Sequence, residues 1–343
     1  LGEQLIAQPL ATVNDRPRLL AVDGFRERAE HYADARRSSA TRRAYEADFA
    51  EFAAFCRTLG MEPRPAPVPA VVSFLTACAD RGLSVSSIGR RLAAIAGAHL
   101  AVGIEKADLP TRHPLVARVY AGIRRELGVA PVKKAALVTE QVRSLVDPLR
   151  YSAKDIRDRA ILLVGFAGAF RRSEVVSFNA SDVRFVDDGL TLHLRSSKTD
   201  QEGVGTVVCI AYGSHLPTCP VRALQRWIEL AGAVGDEPLF RPITAGGRIR
   251  SRRLTPQSIA LVVKRHVKAA AKAAGLDEKT IEEHSLRVGG HSLRAGFVTT
   301  CGLAGMSEVK IMRQSRHRSS ATLRGYMRPA TQWLDNASAD LGL

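Results

Sequence analysis

The sequence predicts a mainly α-helical chain with one small antiparallel β-sheet (α+β), divided into two domains. Three observations lead there. Apolar residues recur at helical spacing along most of the 343 residues. One stretch, VRFVDDGLTLHL, instead alternates around an Asp-Asp-Gly turn, as a hairpin does. Between residues 128 and 137 the periodicity lapses into GVAPVKKAAL, a joint with Gly, Pro and two lysines.

Residues 1–20 lack clear periodicity and read as a flexible arm. A helical domain is expected over 21–128, opening with a helix at about 22–36. The next helix starts at a Ser38-Ser39-x-Thr41 cap and runs through TRRAYEADFAEFAAFCRTL, where Tyr45, Phe49, Phe52 and Phe55 form one apolar stripe. The segment EPRPAPVP breaks the chain. Helices at about 68–80, 84–101 and 114–127 follow, then a linker at 129–137. The second domain, 138–343, begins with helices at about 139–147 and 153–168. The hairpin comes next, then a third strand, VGTVVCIA, after the polar RSSKTDQEG. Further helices are expected at about 220–232, 256–274, 292–304, 307–314 and 320–326, with a terminal segment at 329–343.

The net charge of +16 attracts polyanions, nucleic acid first. Residues 1–131 hold 18 basic and 14 acidic residues, and residues 132–343 hold 32 and 20. Two basic lobes joined by a linker suit a DNA clamp. The longest apolar stretches, Leu92–Ile104 and Ala160–Phe170, fall short of the roughly 20 residues a membrane span needs. The N-terminal residues show no basic region followed by an apolar core, so no signal peptide is expected. Five scattered cysteines, with no C-x-x-C pair, read as reduced thiols of a cytoplasmic protein. No H-E-x-x-H, zinc-spaced Cys/His set or G-x-x-x-x-G-K-[ST] occurs, so no metal, nucleotide or other cofactor is expected.

The last fifty residues carry His291, Arg294, His317 and Tyr326. Breaking a phosphodiester requires a nucleophile, stabilisation of charge on the non-bridging oxygens, and a proton for the leaving 5′ oxygen. Arginine suits the second task through its planar fork of donors and permanent charge. Two arginines with histidine donors can surround the phosphate as an oxyanion hole does. Tyrosine can attack and conserve the bond energy as an ester. Lysine or histidine can serve as general acid. An arginine in AFRRSE, upstream, would complete the set.

TRRAYEADFAEFAAFC, SIGRRLAAIAGAH, GIRRELG, GAFRRSEV, RSSKT, HSLRAGFVTT and HRSSATLRGYMR, in this order and spacing, resemble the tyrosine recombinase (phage integrase) family over most of the chain. The resemblance implies a core-binding helical domain and a catalytic domain. It makes Arg171, followed at Arg-x-x-Glu spacing by Glu174, the first catalytic arginine; Arg172 is the competing candidate. Lys198 would protonate the leaving 5′ hydroxyl from a β-hairpin, and Tyr326 would be the nucleophile. HSLR occurs twice. The family spacing to His317 selects His291 and Arg294 and assigns His284 and Arg287 to a loop or to backbone contact. His317 would hydrogen-bond a non-bridging oxygen. Arg316, Arg318, Arg324 and Arg328 would sit near phosphates.

For DNA recognition, Thr255-Pro256-Gln257-Ser258 opens a helix suited to the major groove, where Gln257 could pair with adenine. Lys264, Arg265 and Lys268 are candidates for backbone phosphate, as are Arg90 and Arg91, with Ser39, Thr41 and Arg42 at a helix start. The expected partners are a double-stranded target site with inverted repeats and three further copies of the chain, forming a tetramer on two duplexes. In that assembly the terminal segment with Trp333 and Leu334 docks into a neighbour; packing within its own domain is the alternative. The implied activity is site-specific recombination through a 3′-phosphotyrosine and a Holliday junction, by a bacterial or phage-encoded protein of the cytoplasm that associates with the nucleoid. The alternatives are a type IB topoisomerase, a telomere resolvase, or an architectural DNA-binding protein without catalysis.

Overall fold

The computed structural model describes residues 38–128, 134–195 and 205–331, together with Phe25, Arg28, Tyr32 and Ser338; side chains at 39 and 328–331 are outside the description. The arm expected at 1–20, most of the helix expected at 22–36, Lys198 and the terminal segment from 332 on, apart from Ser338, lie outside the described residues. The chain divides into two compact units, Leu1–Pro131 and Val132–Leu343.

In the first unit, α1 (Ser39–Thr58) starts where the Ser38 hydroxyl accepts the Thr41 N–H, satisfying one of the free donors of a helix start. Its aromatic stripe meets α2 (Val68–Asp80): Phe52 and Phe55 lie 5.2 and 5.4 Å, ring to ring, from Phe74. Ile88 and Ile95 of α3 (Val85–Leu100) and Val116 of α4 (Pro114–Glu126) close this core, all fully buried. His99 is also fully buried. Its Nε2 accepts the Ala66 N–H at 2.9 Å and its Nδ1 lies 2.8 Å from the Ile95 carbonyl, so the proton sits on Nδ1 and both nitrogens are satisfied. This ring pins the proline-rich break to α3.

The second unit is built on α6 (Ala153–Ala167), preceded by α5 (Thr139–Val146) and followed by the short α7 (Arg172–Ser177). The Ser152 and Asp155 pair forms a capping box at the start of α6. Almost every residue from Ile156 to Gly165 is buried, as befits a helix surrounded on all sides. The hairpin expected from the Asp-Asp-Gly turn is β1 (Val183–Val186) and β2 (Gly189–Leu194), and β3 (Thr206–Ala211) pairs antiparallel to β2, giving the order β1-β2-β3. Leu190, Leu192 and Leu194 of β2 face the core with Val208 and Ile210 of β3. On α8 (Pro220–Ala231), Trp227 is fully buried and its indole N–H donates to the Leu239 carbonyl at 2.8 Å.

A buried charge cluster joins α6 to α9 (Pro256–Ala273). The Asp158 carboxylate, fully buried, accepts from Arg157 at 2.8 Å, from Arg265, and meets His266 Nε2 at 2.9 Å. Burial opposes ionisation of Asp158, but the His266 hydrogen bond and the two guanidiniums outweigh it and lower the pKa.

One expectation is corrected. Residues 278–287 form a helix, α10 (Glu278–Arg287), so His284 and Arg287 occupy its last turn instead of a loop. Asp277 caps it, accepting from the Thr280 N–H. The helices α11 (Ser292–Leu303), α12 (Glu308–Ser315) and α13 (Ser320–Thr331) complete the unit. Gly296 lets α11 approach the chain at Leu137, where a Cβ would lie 1.8 Å from the Leu137 carbonyl oxygen.

Candidate active site

Four segments converge: the turn between α6 and α7, the start of α11, the end of α12, and α13. The turn is set by Ala169, whose φ of 47° is the left-handed conformation that residues with a Cβ adopt at a cost. This conformation presents the Ala169 carbonyl to two cations, Arg294 Nη1 at 2.7 Å and Arg316 Nη2 at 3.2 Å.

Arg171 stands at the N-cap of α7. Glu174, one turn on, accepts both the Arg171 N–H at 2.9 Å and Nη1 at 2.5 Å, which fixes the guanidinium while Arg171 remains partly exposed. The second oxygen of Glu174 also accepts from Arg316 at 3.0 Å. Burial disfavours the Glu174 anion, yet Arg316 and then Arg171 lower its pKa below the usual carboxylate value. The rival Arg172 points elsewhere and donates to Gln257 at 3.3 Å.

Arg294, on the first turn of α11, is 1% exposed. Burial, and then the Arg171 cation, pull its pKa down to about 9, so it stays charged at neutral pH. Its Nη2 is buried without a hydrogen-bond partner. A buried, unmatched guanidinium donor of this kind marks a place where an anion would be welcome.

His291 stands at the N-cap position of α11, and its Nε2 lies 2.8 Å from the Tyr326 hydroxyl. Crowding by the surrounding protein, then Arg294, Arg171 and Arg172, lower its pKa. The His317 ring centre is 5.7 Å from that of Tyr326. Its Nδ1 meets the buried Ser315 hydroxyl at 2.7 Å. Burial, with Arg294, Arg171, His291 and Arg316 nearby, pushes its pKa down to about 4. Both imidazoles are therefore neutral at pH 7, one against the phenol and the other held by Ser315.

The structure thus gathers Arg171, Glu174, His291, Arg294, His317 and Tyr326. Lys198 lies outside the described residues. Sequence reasoning missed the Ala169 carbonyl and Ser315, which nothing in the residue pattern distinguishes from packing. Arg316, expected beside phosphate, turns inward to Glu174, and Arg324 pairs with Glu308 at 2.7 Å.

The candidate DNA contacts are more dispersed. Thr41 shares a hydrogen bond with Ser38 at the start of α1, where Ser39 and Arg42 also lie. Arg90 pairs with Asp48 at 2.6 Å and Arg91 with Glu51 at 2.7 Å, so both cations bridge α3 to α1. Gln257 is exposed at the start of α9, and Ser258 bonds the capping Thr255 at 3.0 Å. Lys264 is half-buried, Arg265 is held by Asp158, and Lys268 pairs with Glu282.

The phage integrase family matches residues 136–332. The chain is 34% identical over 298 residues to an integrase/recombinase XerD homologue of Selenomonas ruminantium, covering 87% of this chain and 84% of the relative. It is 27% identical over 306 residues to a tyrosine recombinase of Synechococcus elongatus, covering 84% and 85%. Its fold is similar to that of a lambda integrase dimer bound to a COC′ core site, with a TM-score of 0.54 at 16% identity over 88% of this chain and 75% of that one.

Proposed function

Because the chain belongs to the phage integrase family of tyrosine site-specific recombinases, we propose that Tyr326 is the nucleophile of its strand exchange. The observation that carries this reading is the 2.8 Å contact between the Tyr326 hydroxyl and neutral His291, beside Arg294. In the proposed step the Tyr326 oxygen attacks a DNA phosphorus while His291 Nε2 takes the phenol proton. An O–P bond to tyrosine forms and the bond from phosphorus to the 5′ oxygen breaks. Lys198 gives that oxygen its proton. Arg171, Arg294 and the Nε2–H of His317 hold the non-bridging oxygens, the Ser315 hydroxyl keeping the His317 proton on Nε2 by donating to Nδ1.

The 5′ hydroxyl of a partner strand then attacks the 3′-phosphotyrosine, reversing each transfer. Two rounds pass through a Holliday junction, within a tetramer on two duplexes carrying inverted repeats. Residues 21–128 act as the core-binding domain and 138–343 as the catalytic domain, clamping duplex DNA in the cytoplasm. The +16 charge supports a DNA partner, as does the fold shared with a DNA-bound integrase.

The test is a suicide duplex, nicked near the cleavage position so that the short fragment bearing the freed 5′ hydroxyl diffuses away. Wild-type protein is expected to form a covalent adduct, and Tyr326→Phe to form none while retaining duplex binding. An undiminished adduct with Tyr326→Phe sinks the assignment. Exchange between two marked duplexes separates recombination from topoisomerase action.

A further inference from the structure

Arg316 ends α12 with φ 58° and ψ 36°, a left-handed conformation that a side chain with a Cβ enters only when its surroundings hold it there. Four hydrogen bonds and one ring contact hold it there. Nη1 donates to the Gln314 carbonyl at 2.8 Å and the Gly168 carbonyl at 3.0 Å. Nη2 donates to Ala169 at 3.2 Å and to Glu174 Oε2 at 3.0 Å. The guanidinium carbon lies 4.8 Å from the centre of the Phe170 ring, and the side chain is 10% exposed. Arg316 therefore touches the acceptors that fix the two phosphate-facing arginines: Glu174, which holds Arg171, and the Ala169 carbonyl, which holds Arg294.

We propose that Arg316 is a positioning residue for strand cleavage, a third guanidinium that divides the Glu174 carboxylate with Arg171 and the Ala169 carbonyl with Arg294. The inference rests on the cleavage reading above. One carboxylate shared by two cations leaves Arg171 only partly neutralised, with donors to spare for a phosphate. Without Arg316, Glu174 would close on Arg171 alone as a two-pronged carboxylate–guanidinium pair and draw it from the phosphate. Arg294 would at the same time lose the neighbour that shares its carbonyl. His317, the next residue, leaves the chain from the same constrained backbone, so its direction depends on Arg316 as well. An Arg316 that served as a DNA contact would act on affinity; a positioning Arg316 acts on the rate at saturating DNA.

The decisive variant is Arg316→Gly, because glycine suits the left-handed backbone and keeps the helix end while deleting the guanidinium. Arg316→Lys, which keeps a charge without the fork, is the second variant should the first not fold. Three readouts are taken with the full chain: thermal melting, duplex affinity by gel shift, and the single-turnover rate of adduct formation on the suicide duplex. Arg316→Gly is expected to melt below wild type, since a buried partner of Glu174 is lost, but to stay folded at the assay temperature, bind duplex within about threefold, and form adduct about 100-fold more slowly, as a misplaced reactive group does. Arg316→Lys is expected to lose about tenfold in rate. Combining Arg316→Gly with Glu174→Gln should cost no more than the worse single variant if Arg316 acts through Glu174.

A wild-type rate in either variant overturns the inference. So does a loss confined to affinity, or full multiplicative losses in the double variant. Absence of adduct from the wild-type protein overturns the cleavage reading itself, whereas wild-type adduct with an unaffected Arg316→Gly overturns only the positioning role.

Discussion

Among the described cations of the site, Arg294 is both the most exposed to electrostatic penalty and the most sheltered from water. Its pKa near 9, its unmatched Nη2 and the neighbouring Arg171 and Arg316 describe a charge that the DNA-free protein tolerates at a cost. Arg294→Met, of similar length but uncharged, is expected to raise unfolding stability by about 1–2 kcal/mol in a urea titration and to abolish adduct formation. Equal or lower stability would show that the guanidinium is satisfied without DNA. His317 makes a pH prediction. Its pKa falls from 6.5 to about 4 on folding, under burial and the cations of Arg294, Arg171 and Arg316, with His291 beside it. As pH drops, the unfolded chain takes up this proton first. The histidine's contribution to stability is therefore complete above about 6.5 and lost progressively down to about 4. The urea midpoint of His317→Gln should decline less over that window than that of the wild type.

At the scale of elements, Asp158 is the residue on which α9 depends. Three cationic or protonatable partners converge on one fully buried carboxylate. Asp158→Ala strands Arg157, only 6% exposed, and is expected to destabilise the chain by about 3–5 kcal/mol in the same urea assay. The hairpin was legible because an Asp-Asp-Gly turn sits between strands whose alternating residues reappear as the Leu190, Leu192 and Leu194 core face. Helix α10 was not. Its buried face consists of Ile281 and Ser285, too little apolar surface to produce a periodic signal, although the Asp277 cap was present in the sequence. That Arg171, Glu174, His291, Arg294, His317 and Tyr326 belong together was legible through the family resemblance, whose order and spacing singled them out, while Lys198 lies outside the described residues. Arg316 was not, because an arginine that turns inward and one that faces a phosphate are written identically. The fate of Arg90, Arg91 and Arg265 was hidden for the same reason: their carboxylate partners lie 42, 40 and 107 residues away.

For the molecule as a whole, charge is the governing quantity. Of the +16, the residues from 132 onward supply +12, and they also contain the whole gathered site. Affinity for duplex DNA should fall steeply with salt, by roughly 10³–10⁵ between 50 and 200 mM if about 6–10 phosphates are contacted. A filter-binding titration with a flat salt dependence would refute an electrostatically held duplex. Trp227 offers a way to watch the molecule while it binds. The chain has two tryptophans, and this one is sealed in the second unit's core with its N–H already donated. Its emission should stay blue and indifferent to DNA, changing only when that core melts. With Trp333→Phe in place, a single tryptophan would report unfolding of the second unit, with no dye attached near the chemistry.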